Sequence, residues 1–480
     1  MMKKLLRSET ALVVAAIVIL VSILMLKPVI GVADNGDFNR IMTAGGIEYS
    51  AEESYQDKYF GYFHQTYSYY AMAWGGYVSS QIPLAILAGL IGRLVNGEYF
   101  DIRILGVMHS MLYLAALYVW LRFNKSSSAI GNSIAVVLSA FIFLDIGYIA
   151  YFNSFFGEAL TLILMLLTFG LALAVAGSDK ASWRMLALFY ISSILLTATK
   201  LQNAPIGIIL IAAGLCFWQF SKERAWRRTI VIGTASLLVA AAVMYVAAPK
   251  DLKHINLYQT IFYGILKDSP DPDKALKQLG LPMELKALAG TNYFQGDTAI
   301  KQDDPILYEH VYNRLGHIDV LVYYLKNPSR FVQKLERAAE NGMTIRPYYL
   351  GSYDQSEGKK RGAIAYTYSG WSEFKRNVLP NELWFIAALY LLYFAGILYE
   401  YSRRKETRHR ARTYIFAAVG LIGIFGFTIP LLGDGEADLG KHLFLFNVCF
   451  DMMIAIGVVY TAWKLLSFKE PFRKKVKIPA

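Results

Sequence analysis

Acidic side chains recur in short polar stretches that lie next to long apolar runs of this 480-residue chain. They are Asp34 and Asp37 in ADNGDFNR (33–40), Glu158 in YFNSFFGE (151–158), and Asp434 and Asp438 in GDGEADLGKH (433–442). Three potential cations accompany them: Lys200 in TKLQNAP (199–205), and Lys441 and His442 in the last stretch. A carboxylate can take the proton of an attacking hydroxyl, and a cation can neutralise a departing phosphate. The set therefore predicts displacement of a phosphate at a carbon atom.

Taken singly, each of these residues also has a structural explanation. Asp34 precedes Asn35 and Gly36, and all three residue types favour turns. Glu158 would stabilise the positive end of a helix, and Lys200 would extend its ammonium group to the membrane surface. Their shared position at the ends of apolar runs favours the functional interpretation for the group.

Membrane helices must position these stretches. Apolar residues make up 55% of the chain and charged residues only 18%, whereas soluble domains carry about 25% charged residues. Several apolar runs approach the roughly 20 residues that span a bilayer. The sequence predicts an all-α polytopic membrane protein with about ten transmembrane helices, at 11–30, 104–121, 129–150, 158–176, 184–199, 204–220, 229–247, 381–400, 412–432 and 443–464.

The distribution of basic residues predicts the orientation. The run at 82–95 is too short for a span, so we expect an interfacial or re-entrant helix there. Cytoplasmic loops are rich in Lys and Arg. With 82–95 not crossing, the basic segments share one side: Lys3, Lys4 and Arg7; Arg122 and Lys125; Lys180 and Arg184; Lys222, Arg224, Arg227 and Arg228; 401–412; and the C-terminal tail. Both termini are therefore predicted to be cytoplasmic and the acid-bearing stretches extracytoplasmic.

Two classes of partner are not expected. The net charge of +12 follows the predicted topology and needs no nucleic acid to explain it. Neither GxxxxGK[ST] nor a Rossmann glycine pattern occurs, so a nucleotide is not expected as the donor. The two cysteines, Cys216 and Cys449, lie in apolar runs and are predicted to be packing residues. A lipid-linked phosphate donor fits the membrane setting better.

The chain is predicted to have three parts. Residues 1–247 form an N-terminal membrane module with spans 1–7 and a first outer loop at 33–103, which is rich in aromatic residues. Residues 248–380 form a mostly helical extracytoplasmic domain. Residues 381–480 form a C-terminal membrane module with spans 8–10 and a basic cytoplasmic tail.

Several stretches resemble a known superfamily: DNGDFNRIM, YFNSFFGEAL, TKLQNAP, LYQTIFYGIL, YLKNPSRF and GDGEADLGKH. They resemble the GT-C superfamily of polyprenyl-phosphate-sugar-dependent membrane glycosyltransferases, and within it the bacterial glycan-biosynthesis hexose transferases of surface-layer glycan clusters. The resemblance implies transfer of a hexose, with inversion, from a polyprenyl-phosphate-linked sugar donor to a glycan or glycolipid acceptor. The reaction would take place at the outer face of the cell membrane.

The resemblance also implies roles for individual residues. Asp37 or Asp34 would activate the acceptor hydroxyl, and Asp434 and Asp438 are further acids at the outer rim. Glu158, with Asn153, would position the acceptor or a metal. Lys200, Lys441 and His442 would bind the lipid phosphate. Whether a divalent metal such as Mg²⁺ or Mn²⁺ takes part stays open.

Two other functions are compatible with the sequence. A transporter or lipid-linked-sugar flippase would use polar groups inside the membrane, and Asn447 and Asp451 form one such polar face in the last span. An oligosaccharide polymerase or ligase would use the same outer-face site and move a whole glycan.

Overall fold

A computed structural model describes residues 8–124, 129–178 and 182–473. It confirms the predicted all-α architecture. The longer helices are α1 (Ser8–Leu24), α2 (Gln81–Val95), α3 (Arg103–Phe123), α4 (Ala129–Phe143), α5 (Glu158–Gly177), α6 (Trp183–Thr197), α7 (Gly207–Leu215), α8 (Arg224–Val246), α9 (Lys250–Thr260), α10 (Pro272–Leu279), α11 (His317–Lys326), α12 (Pro328–Ala339), α13 (Gly370–Val378), α14 (Leu383–Arg403), α15 (Thr407–Asp434) and α16 (Phe444–Arg473).

Short helical segments and a small sheet complete the secondary structure. The short segments are Asn39–Met42, Thr43–Gly45, Tyr55–Lys58, Ile146–Ile149, Ala150–Asn153, Leu201–Ile206, Cys216–Phe220, Ile261–Ile265, Met283–Leu288, Pro305–Leu307, Tyr308–Tyr312, Gln355–Glu357 and Leu439–His442. The strands are β1 (Ile47–Glu48), β2 (Thr66–Tyr69) and β3 (Tyr99–Asp101), which form an antiparallel sheet in the order β1-β2-β3. This sheet lies in the first loop, where the sequence analysis predicted no strand.

All ten segments predicted as spans contain helices, but not all are long enough to cross a membrane. Within the described residues, seven helices have the required length and hydropathy. The segment at 129–150 is bent by 54° between two helices and adds an eighth span if both halves are counted together. The helices Thr10–Leu24 and Trp183–Thr197 are apolar but shorter, as is Gln81–Val95. The first predicted span thus ends at Leu24 rather than at residue 30.

Helix α5 lies at the centre of the bundle. It packs against α3, α6, α15 and α16, and each of its residues from Glu158 to Ala176 is buried except Leu167. This explains why α5 is apolar around its whole circumference rather than on one face. At Gly170, a Cβ atom would lie 2.9 Å from the backbone nitrogen of Trp120 on α3. Glycine at this position permits the two backbones to approach closely.

The segment at 248–380 has two kinds of packing. Residues between Leu257 and Tyr324 form an apolar cluster of their own. In contrast, residues between Ala338 and Trp371 pack into the large cluster that also contains α5 and α16. The predicted division into three parts stays a prediction, with this second half in contact with the membrane helices.

Two buried carboxylates attach α13 to the bundle. Asp145 Oδ2 accepts hydrogen bonds from the backbone nitrogens of Trp371 (3.0 Å) and Ser372 (2.9 Å) at the start of α13. Asp451 Oδ1 lies 2.6 Å from Lys375 Nζ, and both side chains are fully buried. The polar position inside the last span is therefore an ion pair that joins two helices.

The predicted orientation in the membrane stays a prediction. Several basic residues on which it depends lie outside the described residues: Lys3, Lys4, Arg7, Lys125, Lys180 and the tail beyond residue 473. The structure does place the acid-bearing stretches together at one end of the helix bundle, as the next section describes.

Candidate active site

A cleft of about 780 Å³ opens at the end of the bundle where α1, α6 and α15 end and α5 begins. Its walls come from the first loop, from the connections around Gly157 and Lys200, from α9, and from the turn between α15 and α16. The polar and charged residues that line it are Asn35, Asp37, Arg40, Glu158, Lys200, Gln202, Asn256, Gln259, Asn292, Asp434, Asp438 and His442.

Asp34 supports the first loop from below the cleft. Its Oδ1 accepts hydrogen bonds from the backbone nitrogens of Gly36 (2.7 Å) and Phe38 (3.1 Å), and its Oδ2 accepts one from the Tyr49 hydroxyl (2.9 Å). The side chain is fully buried and does not line the cleft. Burial, and then the neighbouring Asp37 charge, raise the pKa of Asp34 to about 6. Its hydrogen bonds fix the turn that presents Asp37.

Asp37 lines the cleft and contacts two cations. Its Oδ1 lies 2.7 Å from Arg40 Nη1, one helical turn further along the chain. Its Oδ2 is bonded to Lys441 Nζ. Burial alone would raise the pKa of this carboxyl, but Lys441 and Arg40 together hold it well below its usual range. Asp37 is therefore ionised in the folded protein.

Lys441 connects Asp37 to a second acid. Its side chain is buried, and its Nζ lies 3.3 Å from Asp438 Oδ2, which also accepts a hydrogen bond from Asn35 Nδ2 (2.8 Å). The other oxygen, Asp438 Oδ1, is buried and has no partner within the described part of the chain. Burial raises the pKa of Asp438 above its usual range, against the opposing effect of Lys441. One ammonium group thus serves two carboxylates of unequal basicity.

Glu158 and Lys200 form a second ion pair on the opposite wall. Glu158 is the first residue of α5, where the helix dipole favours a negative charge. Its Oε1 lies 2.6 Å from Lys200 Nζ, and its Oε2 has no partner among the described residues. The Lys200 side chain retains 19% exposure, in the cleft. It can therefore reach a bound anion without leaving Glu158.

His442 faces a further acid at the inner end of the cleft. Its Nε2 lies 3.2 Å from Asp434 Oδ2, and its Nδ1 lies 2.9 Å from Gln202 Oε1. Burial and the charges of Lys200 and Lys441 lower the pKa of His442 well below its usual value. Burial thus disfavours the cationic form of His442, while both ring nitrogens lie within hydrogen-bonding distance of oxygen atoms.

Asn153 lies apart from the cleft. Its Nδ2 donates hydrogen bonds to the carbonyl oxygens of Leu24 (3.1 Å) and Ile30 (2.9 Å). The residue is fully buried and does not line the cleft. This contact fixes the end of α1 and the start of the first loop, so Asn153 supports the site from a distance.

The structure brings most of the predicted residues together. Six of the nine candidates line the cleft, namely Asp37, Glu158, Lys200, Asp434, Asp438 and His442. Lys441 touches two of them from behind, whereas Asp34 and Asn153 act through the backbone. The sequence analysis missed Arg40, Asn35 and Gln202. Arg40 had a detectable signal, because residues three apart on a helix are neighbours.

The described acids of the cleft are grouped around cations rather than around a common point. Among the residues that the structure describes, no three His, Cys, Asp or Glu side chains converge on one point. The carboxylates of Asp37 and Asp438 meet at the Lys441 ammonium instead. A divalent ion needs several oxygen ligands at one point, and here a fixed positive charge occupies that position.

A family model describes nearly the whole chain. The sequence matches the YfdI N-terminal transmembrane domain over residues 1–478. The chain belongs to this family. The match supports the prediction of a multi-pass membrane protein. No curated protein matches the chain.

Three solved structures of an oligosaccharyltransferase from Archaeoglobus fulgidus are similar to the chain. AglB in complex with an inhibitory peptide and a dolichol-phosphate has 12% identity and a TM-score of 0.39, over 98% of this chain and 52% of that one. The form tethered to an acceptor peptide has 13% identity and a TM-score of 0.40, with the same coverage. The apo form has 13% identity and a TM-score of 0.39, over 96% and 52%. The chain spans about half the length of these proteins.

An apolar groove adjoins the cleft. It has a volume of about 470 Å³ and lies along α8, lined by Val78, Ala198, Ile232, Ala235, Ser236, Val239, Ala240, Val243 and Met244. Its upper wall meets the cleft, because Ser79 and Thr199, which follow Val78 and Ala198, line the cleft. The Ser79 hydroxyl donates a hydrogen bond of 2.7 Å to the Thr199 carbonyl at this junction. A ligand with an apolar chain and a polar head would fit both cavities.

Proposed function

We propose that the chain is a membrane glycosyltransferase that moves a hexose from a polyprenyl-phosphate carrier to a glycan or glycolipid acceptor. The observation that carries this proposal is the junction of the charged cleft with the apolar groove. The isoprenoid chain of the donor would lie in the groove along α8, and its phosphate would lie next to Lys200, one residue beyond Thr199. The hexose would then occupy the cleft among the acids.

The charges of the cleft suit a phosphate leaving group. As the bond between the anomeric carbon and the phosphate oxygen breaks, the phosphate gains negative charge. A preorganised cation stabilises this charge more in a partly buried site than in water. Lys200 is the exposed cation of this wall, and its pairing with Glu158 holds its ammonium group in place.

The reaction exchanges one bond at the anomeric carbon for another. The acceptor hydroxyl oxygen bonds to that carbon, the carbon–oxygen bond to the phosphate breaks, and polyprenyl phosphate leaves. The hydroxyl proton passes to a carboxylate, for which Asp37 and Asp438 are the candidates because they lie in the cleft and share Lys441. Asp37 would also offset the positive charge that develops on the sugar ring.

The site is proposed to face the outside of the cell membrane, with both termini in the cytoplasm. The basic segment at 401–412 connects α14 and α15 at the end opposite to the turn that carries Asp434 and Asp438. Basic loops favour the cytoplasmic side. A polyprenyl-phosphate-linked sugar at the outer face of the membrane would enter the cleft from the lipid bilayer.

The alternative functions have less support in the geometry. A transporter would use a polar group that is free inside the membrane, but Asp451 is bound by Lys375, by the Trp371 indole nitrogen (2.8 Å) and by the Tyr148 hydroxyl (2.5 Å). A polymerase or ligase would use the same cleft with a larger lipid-linked glycan. The size of the transferred glycan distinguishes that function from hexose transfer.

The test is release of radiolabelled hexose from polyprenyl-phosphate hexoses by the purified protein, with and without a glycan acceptor mixture. We expect release by the wild type and its loss in Asp37→Asn. The control is Asp297→Asn, which changes an exposed acid outside the cleft. Release that is equal in the wild type and Asp37→Asn would contradict the proposal. Movement of intact lipid-linked sugar between vesicle leaflets, without release, would indicate a flippase.

A further inference from the structure

A second cavity lies on the far side of Asp438. It has a volume of about 310 Å³ and is bounded by the segment that follows α12, by Arg376 of α13 and by the connection between α15 and α16. Asp438 and Tyr349 line both this cavity and the main cleft. The two spaces therefore meet at one carboxylate.

The backbone and hydrogen bonds of Asp438 are unusual. It has a φ of +47°, in the left-handed region that residues other than glycine rarely occupy. Such strained residues concentrate at functional sites. One carboxylate oxygen is held by Asn35 and Lys441, while Oδ1 is buried and has no partner among the residues that the structure describes. The side chain as a whole retains 17% exposure and lines both cavities, so a ligand hydroxyl between them can approach the carboxylate.

The walls of the second cavity suit a sugar. The Tyr348 ring is fixed by its hydroxyl, which donates a hydrogen bond of 2.5 Å to Glu373 Oε1, and by the Arg376 guanidinium 3.6 Å from its centre. The Asn341 and Thr344 side chains add polar groups to the lining. A fixed aromatic ring with a few hydrogen-bonding groups is typical of a small-molecule site.

The carboxylates of this cavity suit the hydroxyl groups of a sugar. Glu436 lines it and is already paired with Lys334 (2.5 Å) and Lys267 (2.9 Å). Asp438 adds a further acid, against which Arg376 is the one cation among the described residues that line the cavity. Sugar hydroxyls can donate hydrogen bonds to both carboxylates.

We infer that the second cavity binds the sugar unit of the acceptor whose hydroxyl is attacked, and that Asp438 is the carboxylate that receives the hydroxyl proton. This inference rests on the proposed function, and it assigns the donor hexose to the main cleft. The acceptor oxygen bonds to the anomeric carbon, its proton moves to the Asp438 carboxylate, and polyprenyl phosphate leaves on the side of Lys200.

Binding can be tested without any donor. Thr344→Cys places a thiol in the lining of the cavity, and its modification by a charged methanethiosulfonate can be followed by mass spectrometry. The ligands are the methyl glycosides of glucose, galactose, mannose and rhamnose, and we expect at least one of them to slow modification about tenfold. Wild-type protein gives the background from Cys216 and Cys449. No protection by any of the four would overturn the assignment of a sugar site.

Catalysis is tested by filling the cavity. A Cβ atom on Gly440 would lie 3.8 Å from Pro347 Cα, an ordinary contact distance, so Gly440→Val adds its methyl groups to the cavity without a forced backbone shift. We expect transfer to the protecting glycoside to fall about tenfold or more, while slow hydrolysis of undecaprenyl-phosphate glucose by water continues. The control is Gly457→Val, on α16, where a Cβ atom meets nothing within 4 Å.

The outcomes separate this inference from the proposed function. Equal loss of transfer and hydrolysis in Gly440→Val would overturn the acceptor site, and so would unchanged transfer. A glycoside could protect the thiol in Thr344→Cys even if the protein never releases sugar from the donor. That result would support the sugar site and contradict the proposed glycosyltransferase activity. When Asp438→Asn is combined with Thr344→Cys, we expect the glycoside still to protect the thiol, and in Asp438→Asn alone we expect transfer to fall about a hundredfold. Full transfer in that variant would remove Asp438 as the proton acceptor.

Discussion

Lys441 and Asp37 are 404 residues apart in the chain and form an ion pair that closes the base of the cleft. The Lys441 side chain has no exposed surface, and the Asp37 side chain is 28% exposed. Removing one partner of a buried ion pair leaves an uncompensated charge and costs about 3–5 kcal/mol. This pair therefore connects the stability of the first loop to that of the last membrane helices.

The first prediction concerns this pair. Lys441→Gln should lower the free energy of unfolding by about 3 kcal/mol, because Asp37 and Asp438 then repel each other without the ammonium group. The double variant Asp37→Asn/Lys441→Gln should recover part of that loss. Thermal unfolding in detergent measures both. The matched control is the exposed pair Lys286–Asp273, whose double-mutant cycle should give about 0–1 kcal/mol. Equal coupling in the two pairs would contradict the assignment.

The second prediction separates Asp34 from the chemistry. Asp34→Asn places an amide group where three donors now converge, and a buried donor without a partner costs about 1–3 kcal/mol. The variant should therefore unfold at a lower temperature. Tyr49→Phe removes one of the three donors and should have a smaller effect of about 1 kcal/mol. A variant Asp34→Asn with wild-type stability and no activity would show instead that Asp34 takes part in the reaction.

The third prediction concerns pH. A base must be deprotonated to act, so the rate rises with pH through the pKa of that base. Burial raises the pKa of Asp438 above 3.8, whereas Lys441 and Arg40 hold that of Asp37 below its usual range. If Asp438 is the base, we therefore expect the acid limb of the pH–rate profile, where the rate of sugar release rises with pH, to have its midpoint above pH 3.8. Asn35→Ala removes a hydrogen bond to the Asp438 carboxylate, so it should move this limb to higher pH.

The control for the pH profile is Asn39→Ala, which changes an amide near the same loop that does not bond to Asp438. The acid limb of the pH–rate profile of Asn39→Ala should match that of the wild type. A limb that is the same in all three proteins would indicate that Asp438 is not the titrating group. Substrate binding can shift the limb as well, so the profile is measured for both kcat and kcat/KM.

The sequence predicted the helices well, because the mean hydropathy of a segment is set by residues that are adjacent in the chain. The ten apolar segments all contain helices, and the polar stretches between them indicated the end of the bundle where the cleft lies. The three-stranded sheet was missed because its strands have two to four residues, too few for a pattern of alternation. Strand signals need about four to eight residues.

The sequence indicated which residues lie at the site better than it indicated what each residue does there. Asp34 and Asp37 look equivalent in ADNGDFNR. In the structure, Asp34 is buried and accepts three hydrogen bonds, whereas Asp37 contacts two cations. That difference depends in part on Tyr49, 15 residues from Asp34, and on Lys441, 404 residues from Asp37. Asn153 seemed to belong to the site but bonds to the backbone at the end of α1. Only the packing of the helices determines such contacts.

The fourth prediction concerns metal ions. Because the Lys441 ammonium occupies the point where Asp37 and Asp438 meet, a chelator should leave the rate of sugar release unchanged. The measurement compares release in excess EDTA with release in Mg²⁺ or Mn²⁺. In Lys441→Gln the two acids lose their cation, so any activity that remains should become sensitive to added Mn²⁺. Loss of wild-type release in EDTA, restored by Mn²⁺, would contradict the prediction.

The fifth prediction concerns the groove along α8. Ala240→Phe fills the apolar groove where the isoprenoid chain is proposed to lie. It should raise KM for an undecaprenyl-phosphate donor about tenfold, since poor fit in an apolar pocket costs about 1–3 kcal/mol. It should have little effect on a donor with a short isoprenoid chain, which does not extend along the groove. Initial rates with both donors measure this.

Leu238→Phe is the matched control for the groove. Leu238 lies on the same helix, is exposed, and does not line the groove. Because its side chain already faces outward, the larger ring there should leave KM unchanged for both donors. If Ala240→Phe and Leu238→Phe raise KM equally, the effect comes from α8 in the membrane and not from the groove. If Ala240→Phe impairs the short donor as much as the long one, the donor chain lies elsewhere.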